Sequence, residues 1–258
     1  MKLFLITDIH FGDNVNYHHV GGEDYINSYG ELFKNFFPHL KEEMENCDLV
    51  VNLGDFIHDE SPEKDLETFK EALSFFNIKT PTRYVVGNHD LRHLSREKWS
   101  EVVGEEKDYY SFDLGGYHHV VLDGCRTEKR GPHYISEEQL VWLEEDLSKT
   151  SLKSIVYCHF PIDNQNMDNN YYFKNAPDGS ALGNRFFVRK VFEKSEKVLA
   201  VFNGHTHFFS EQVMKDIKYC TVPSFSENDG AHQPGGEYAI VTINDSEVKI
   251  EIKKSQKN

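Results

Sequence analysis

A short apolar run that ends directly in a polar cluster recurs along this chain of 258 residues. The unit occurs at residues 2–7, 48–53, 82–86, 154–158 and 198–202. Continuous apolar runs of about 4–8 residues, rich in β-branched side chains, are typical of strands that are buried on both faces. The pattern therefore predicts buried strands that each end in polar side chains.

Helical patterns separate these predicted strands. Apolar side chains recur at helical spacing within residues 24–46, where Pro38 is expected to kink or split the helix. A second helix is expected to begin at Ser61 and Pro62, because serine caps helix N-termini and proline suits the first helical position. Ser136 and Gln139 match a capping box before another helix. The alternation indicates an α/β fold.

The end of the chain lacks helical spacing. From about residue 208 the pattern predicts strands, including a hairpin whose turn lies at residues 244–246. No repeat, linker or shift in composition marks a domain boundary, so residues 1–258 are expected to form one domain.

Two polar stretches, at residues 11–24 and 162–184, do not fit the alternation. Loops longer than about 12–15 residues are usually functional or disordered. Because both stretches directly follow a polar cluster, we expect them to rim the same site. His18 and His19 in the first stretch, and Tyr171, Tyr172 and Phe173 in the second, could contact a substrate or simply anchor their loops.

The charge balance restricts the partners. The chain has 28 basic and 43 acidic residues, which gives a net charge of −15. Broad contact with a nucleic-acid backbone or an anionic membrane needs clustered lysine and arginine, so long nucleic acids and membranes are not expected partners. No apolar run is long enough for a signal peptide or a membrane span, and the four cysteines form no CxxC motif. A cytoplasmic protein with reduced thiols is expected.

The polar clusters supply metal ligands. Ligands in open α/β sheets bind beyond the carboxyl ends of strands, so these side chains should converge if the strands share a sheet. Imidazole combined with carboxylate suits Mn, Fe, Zn or Co, whereas all-oxygen sites suit Mg. Seven donors exceed one four-coordinate site and predict two metals that share a carboxylate. The donors are Asp8, His10, Asp55, Asn88, His159, His205 and His207.

In this order, the motifs resemble the calcineurin-like metallophosphoesterase superfamily. The family pattern is D-x-H, G-D, G-N-H-[DE], a lone histidine after a strand, and G-H-x-H, and all five blocks lie between Asp8 and His207. The resemblance implies a four-layer αββα sandwich with two central mixed sheets. It also implies two divalent metal ions, of which Mn, Fe or Zn are favoured and Mg or Co are possible.

The resemblance further implies a role for each motif residue. One metal would be bound by Asp8, His10 and His207, and the other by Asn88, His159 and His205. Asp55 would bridge the two ions. The catalytic residues would be Asn88, His89 and Asp90, with His89 facing the substrate phosphate or leaving group and Asp90 hydrogen-bonded behind it.

The chain departs from the motifs of some branches of this superfamily, which indicates the branches to which it does not belong. The residues after Asp55 lack the G-D-x-V-D-R-G motif of Ser/Thr phosphatases, and His58 stands where purple acid phosphatases have a tyrosine ligand. His58 could therefore be a further ligand or could lie outside the ligand shell, and the role of His133 is open. Residues 109–124 and 139–143 resemble members like the class III cyclic-nucleotide phosphodiesterases.

This resemblance leads to a functional expectation. A small phosphodiester or nucleotide would be hydrolysed by a metal-bridging hydroxide that attacks phosphorus. A phosphomonoesterase of the same fold, or a catalytically silent metal-binding scaffold, are the alternatives. A monomer and a homodimer are both compatible with the sequence.

Overall fold

Two β-sheets lie at the centre of the structure, a computed structural model that describes residues 1–12, 15–18, 24–27, 29–126, 132–226 and 235–255, with the backbone alone at residues 15–18 and 24–27. The first sheet has the strand order β13-β12-β1-β4-β5. Its strands are β1 (Lys2–Ile6), β4 (Leu49–Asn52), β5 (Thr82–Tyr84), β12 (Glu237–Asn244) and β13 (Glu247–Lys254). The strands β1, β4 and β5 are parallel, and β12 and β13 form the predicted hairpin at one edge.

The second sheet has the strand order β10-β11-β9-β8-β7-β6. Its strands are β6 (Tyr110–Leu114), β7 (Tyr117–Leu122), β8 (Ser154–Cys158), β9 (Val198–Asn203), β10 (Ser210–Met214) and β11 (Ile217–Thr221). The four inner strands are parallel, and the two edge strands are antiparallel to their neighbours. The polar clusters therefore do not follow strands of one sheet, because β1, β4 and β5 belong to the first sheet whereas β8 and β9 belong to the second.

Alternation along the strands explains the layers. Successive side chains of a strand point to opposite faces. In β1, Leu3 and Leu5 join a buried cluster with Ile155 and Phe202 of the second sheet, whereas Phe4 packs on the outer face. The two sheets thus pack face to face, and helices cover their outer faces. This arrangement is the predicted four-layer αββα sandwich with two mixed sheets.

The helices are α1 (Tyr29–Glu45), α2 (Pro62–Phe75), α3 (Arg96–Val103), α4 (Glu137–Lys149) and α5 (Arg185–Ser195). Apolar spacing predicted α1, α2 and α4 but not α3 or α5, and α1 begins only at Tyr29 because residues 24–27 form a strand. Pro38 does not split α1, which is one helix. The capping box is half formed: Ser136 caps the backbone of Gln139, but the Gln139 amide bonds to the backbone of Asp123 instead.

The stretch 11–24 is not a simple loop. It holds β2 (Val15–His18), which pairs antiparallel with β3 (Asp24–Asn27), so a hairpin stands where the sequence predicted a rim without secondary structure. The side chain of His18 and all of His19 lie outside the described residues. Among the described residues, no helix is long and apolar enough to cross a bilayer.

Candidate metal centre

Backbone hydrogen bonds hold the loops of both sheets side by side. The loop after β1 runs along the loop after β4, since Asp8 N and His10 N donate to the carbonyls of Gly54 at 3.0 Å and Asp55 at 3.1 Å. The loops after β8 and β9 are joined by a 2.9 Å bond from Gly204 N to His159 O. A 3.0 Å bond from His205 N to Asp8 Oδ2 joins these two pairs of loops, so the first and second sheets bring their polar clusters to one place.

Two motif glycines allow these loops to approach closely. A Cβ atom on Gly87 would lie 2.0 Å from Asp55 N, and one on Gly204 would lie 2.0 Å from Thr7 Oγ1 and 2.7 Å from Asp8 Oδ2. Any side chain at either position would displace a predicted ligand. The glycines of G-N-H and G-H-x-H are therefore required by packing around the carboxylates.

The backbone of the predicted ligands is strained. Nine described residues other than glycine have positive φ, and five of them are predicted ligands: Asp8, His10, Asp55, His205 and His207. Left-handed backbone at such residues costs on the order of 1–3 kcal/mol each, and it concentrates at functional sites. The sharp turns aim these side chains inward from the strand ends.

A first group of ligand atoms, the Asp8 group, consists of Asp8, His10 and His207, all buried. His207 Nε2 lies 3.3 Å from Asp8 Oδ1 and 3.4 Å from His10 Nε2. Asp8 Oδ2 accepts hydrogen bonds from Thr7 Oγ1 at 2.7 Å and from His205 N at 3.0 Å. These bonds fix the carboxylate so that Oδ1 faces the two imidazoles.

A second group, the Asp55 group, consists of Asp55, His159 and His205. His159 Nδ1 donates to Leu53 O at 2.9 Å, so Nε2, which lies 3.2 Å from Asp55 Oδ2, is the nitrogen that can bind a cation once its proton is lost. His205 Nε2 donates to Gly179 O at 3.0 Å, which leaves Nδ1 as the ligand atom. A second-nitrogen bond to a carbonyl is the usual way in which proteins orient a metal-binding imidazole.

Some of the predicted ligand atoms are buried without a hydrogen-bond partner, as expected for atoms that bind a cation. Within the described part of the chain, Asp8 Oδ1 and Asn88 Oδ1 are buried and accept no hydrogen bond. Leaving a buried acceptor unpaired costs roughly 1–3 kcal/mol. A divalent ion beside each ligand group would satisfy these atoms, so the residues present fit two metals.

The charged ligands shift each other's pKa values. Burial alone would lower the pKa of His159, but the Asp55 carboxylate outweighs burial and raises that pKa to about 9. Burial would raise the pKa of Asp55, yet His159 and His89 hold it well below its usual range. Burial lowers the pKa of His205 to about 3, so this imidazole is neutral. In the metal-free protein a proton on His159 therefore balances the carboxylate that a cation would balance.

The sequence of the chain matches the family model "Calcineurin-like phosphoesterase" over residues 1–209. The chain belongs to the calcineurin-like phosphoesterase family. Membership of this family identifies the chain as a phosphoric ester hydrolase. The family depends on two metals, and the two ligand groups of this chain are candidate positions for them.

Similar proteins carry phosphoesterase names. The chain is 25% identical over 235 residues to a protein of Fibrobacter succinogenes named "Probable cyclic nucleotide phosphodiesterase", covering 87% of this chain and 79% of that protein. It is 28% identical over 197 residues to the "Probable glycerophosphodiester phosphodiesterase GpdQ" of Arcobacter nitrofigilis, covering 74% and 67%. The crystal structure of a dimetal phosphatase from Danio rerio shares the fold, with a TM-score of 0.72 at 15% identity over 97% of this chain and 95% of that one.

In this phosphoesterase, Asp59 rather than Asp90 contacts the His89 ring. His89 Nδ1 forms a hydrogen bond with Asp59 Oδ1. Asp90 instead accepts from three backbone amides, those of Phe56 at 2.8 Å, Ile57 at 3.2 Å and Gly87 at 2.9 Å. The hydrogen bond that the family pattern implied between His89 and Asp90 is therefore absent, and Asp90 ties the loop after β4 to the G-N-H-D turn.

Asp59 also links His89 to the guanidinium group of Arg92. Its Oδ2 lies 3.3 Å from Arg92 Nε, and the Arg92 side chain is 57% exposed. Burial would lower the pKa of His89, but the carboxylates of Asp55 and Asp59 raise it above its ordinary value. Asp59 and Arg92 were not found from the sequence, because neither belongs to a family motif and Asp59 is 30 residues from its partner.

Aromatic side chains of the stretch 162–184 pack against the ligand histidines. The Tyr172 ring lies 4.9 Å from the His207 ring, and the Phe173 ring lies 4.9 Å from the His205 ring. His133 stacks on Phe160 at 4.1 Å and burial lowers its pKa to about 4, so it supports the Asp55 group as a neutral ring. These contacts restrict the motion of the imidazoles.

Proposed function

We propose that this phosphoesterase hydrolyses a small phosphodiester or nucleotide with two divalent ions, of which Mn, Fe or Zn suit the donors best. The observation that carries the proposal is that two ligand groups, one buried and one largely buried, meet beside His89, whose ring centre lies 4.8 Å from that of His10. When bound, the ions acidify a water and neutralise the oxygens of the phosphoryl group. Asp8, His10 and His207 would hold one ion, Asn88, His159 and His205 the other, and Asp55 would contact both.

His89 is proposed as the general acid. Its Nδ1 is bonded to Asp59, so Nε2 is the nitrogen that can face the substrate. The Asp59 carboxylate, which together with Asp55 raises the pKa of His89 in the metal-free chain, is not a metal ligand and continues to favour the protonated ring, which can donate a proton to the departing oxygen. A 2.8 Å bond from His89 N to Asp55 Oδ1 fixes the residue relative to the Asp55 group.

Asn88 is proposed to act in two ways. Its Oδ1 is a buried acceptor suited to a cation, and its amide NH₂ can donate to a phosphoryl oxygen. Asp90 would act through the backbone, since it holds the G-N-H-D turn by three amide bonds. Its catalytic contribution is therefore proposed to be positional.

The preference for a diester is supported by the names of the relatives from Fibrobacter and Arcobacter, which are both phosphodiesterases. One observation favours the alternative, a phosphomonoesterase. The exposed guanidinium of Arg92 is tethered next to His89 and would suit the second negative charge of a monoester.

Hydrolysis of two chromogenic esters tests the proposal. The protein is reconstituted with Mn, Fe plus Zn, or Mg, and its metal content is measured before each assay. We expect bis-p-nitrophenyl phosphate to be hydrolysed with a higher kcat/KM than p-nitrophenyl phosphate. The opposite order would indicate a phosphomonoesterase, and no hydrolysis of either ester with both metals bound would indicate a scaffold.

A further inference from the structure

His58 lies next to the Asp8 group, although the family pattern gives it no role. The loop after β4 continues alongside the loop after β1, because Phe11 forms a parallel bridge with Ile57 and His58 N donates to Phe11 O at 3.1 Å. This pairing brings the partly buried His58 ring to 5.7 Å from the His10 ring, measured between centres.

Three imidazoles meet at this point. One ring nitrogen each of His10, His58 and His89 lies within 4.8 Å of the others. Nitrogen ligands at about 2.1 Å from a metal can be up to about 4.2 Å apart, so a small movement brings these atoms to coordinating distance. The His58 and His89 rings also stack at 5.5 Å, which limits the orientations of His58.

Contacts with neighbouring residues already fix the ring orientation of two of these histidines. His10 faces the Asp8 group through Nε2, and His89 is tied to Asp59 on its far side. His58 approaches from the loop that follows Asp55, the carboxylate expected to contact both ions. The ion of the Asp8 group is the cation that His58 can reach together with His10.

Resting on the proposed two-metal function, we propose that His58 is an additional ligand of the ion bound by Asp8, His10 and His207. That ion then has five protein ligands when Asp55 is counted, against four for the ion of the Asp55 group when Asn88 and Asp55 are counted. The two positions are unequal. The ion of the Asp8 group is held more tightly and has one position fewer for water or substrate.

Cobalt binding tests this assignment without an activity assay. The metal-free wild type, His58→Gln and the control His93→Gln are loaded with Co²⁺, and then dialysed against a graded series of chelator concentrations. His93 is a suitable control because it is also partly buried, pairs with Asp65 at 2.8 Å and belongs to neither ligand group. Bound cobalt is counted by mass spectrometry, and the visible Co²⁺ spectrum reports the coordination number.

We expect the wild type and His93→Gln to bind two ions and to retain one of them at chelator concentrations that remove the other. In His58→Gln the affinity of the retained ion should fall at least about tenfold, and its spectrum should change, since a nitrogen ligand is lost. His58→Asp, which keeps a ligand atom at this position, should retain the ion better than His58→Gln. That comparison separates ligation from a general folding defect.

Retention and spectra in His58→Gln that match the wild type would overturn the assignment. A third cobalt in the wild type that is missing in His58→Gln would also overturn it, because His58 would then belong to a separate site. If the wild type itself fails to bind two ions, the proposed function fails with it. Two ions in the wild type together with an unaffected His58→Gln would contradict only the inference on His58.

Discussion

Replacing Asp59 with asparagine removes the negative charge that lies behind His89. One oxygen of Asp59 bonds to His89 Nδ1, and the other lies 3.3 Å from Arg92 Nε. Asparagine has nearly the same shape, so both ligand groups should keep their geometry. Burial lowers the pKa of His89 while Asp55 and Asp59 raise it, so the substitution should lower that pKa. Less of the general acid is then protonated at neutral pH.

The expected loss can be bounded. Removing the carboxylate that orients a functional histidine typically costs about 10–100-fold in activity, or roughly 1.4–2.7 kcal/mol of barrier. The loss should depend on the leaving group, because an alkoxide must be protonated whereas p-nitrophenolate leaves without a proton. We expect kcat for an alkyl phosphodiester to fall by that factor, and kcat for bis-p-nitrophenyl phosphate to fall by less than about threefold. The alkaline limb of the kcat–pH profile should move to lower pH.

A matched control is available in another aspartate–histidine pair. Asp146 accepts from His118 at 2.8 Å, and its side chain is 17% exposed, compared with 18% for Asp59. Asp146→Asn should leave both rates unchanged, because this pair lies on α4 and β7 and belongs to neither ligand group. Equal slowing of both esters by Asp59→Asn, or loss of bound metal, would refute the reasoning about His89.

Three other predictions concern the metals. Gly87→Ala would place a Cβ 2.0 Å from Asp55 N and should reduce bound metal below one ion per chain. The control Gly179→Ala should still bind two ions, because its Cβ would meet Phe173 at an ordinary 3.7 Å. Mass spectrometry of the bound metal distinguishes the two results. Because the pKa of His159 is raised to about 9 from 6.5, metal binding at pH 7.5 should release about one proton from His159 in addition to the proton lost by the metal-bound water. In a pH-stat titration the total should fall as pH rises past about 9, and proton release that stays constant up to pH 10 would contradict this. The same His159 proton stabilises the metal-free fold below about pH 6.5, and that contribution is lost as pH rises through about 9. Finally, chelating ions held at about 100 times their Kd removes about 2.7 kcal/mol per ion. Calorimetry should then show Tm lower by roughly 5–11 °C for each ion, or roughly 11–22 °C for both, and an unchanged Tm would show that the ligand groups hold no ion.

The sequence predicted the elements of this fold better than their pairing. Apolar runs and capping residues are local signals, so the strands and the start of α2 at Pro62 are visible in the sequence. A run that is buried on both faces does not encode which strand lies beside it. The division into two sheets therefore came only from the resemblance to the phosphoesterase family, and the β2–β3 hairpin was missed because its strands have only four residues each and contain no continuous apolar run.

The candidate site shows the same limit. Its ligands were found because each one directly follows an apolar run in a fixed order. Asp90 was placed behind His89 because it is the next residue, but its carboxylate is taken up by buried backbone amides that would otherwise be unpaired. Asp59 contacts His89 only in the folded chain, and no local sequence pattern predicts that contact.

An anomalous difference map from a crystal grown with Mn²⁺ would show directly whether the chain holds two metals at Asp55. We expect two peaks per chain, about 3.5–4 Å apart, which is the usual spacing of two-metal sites. One peak should lie among Asp8, His10 and His207, the other should lie among Asn88, His159 and His205, and both should contact Asp55. A single peak, or two peaks that do not share Asp55, would contradict a dinuclear centre.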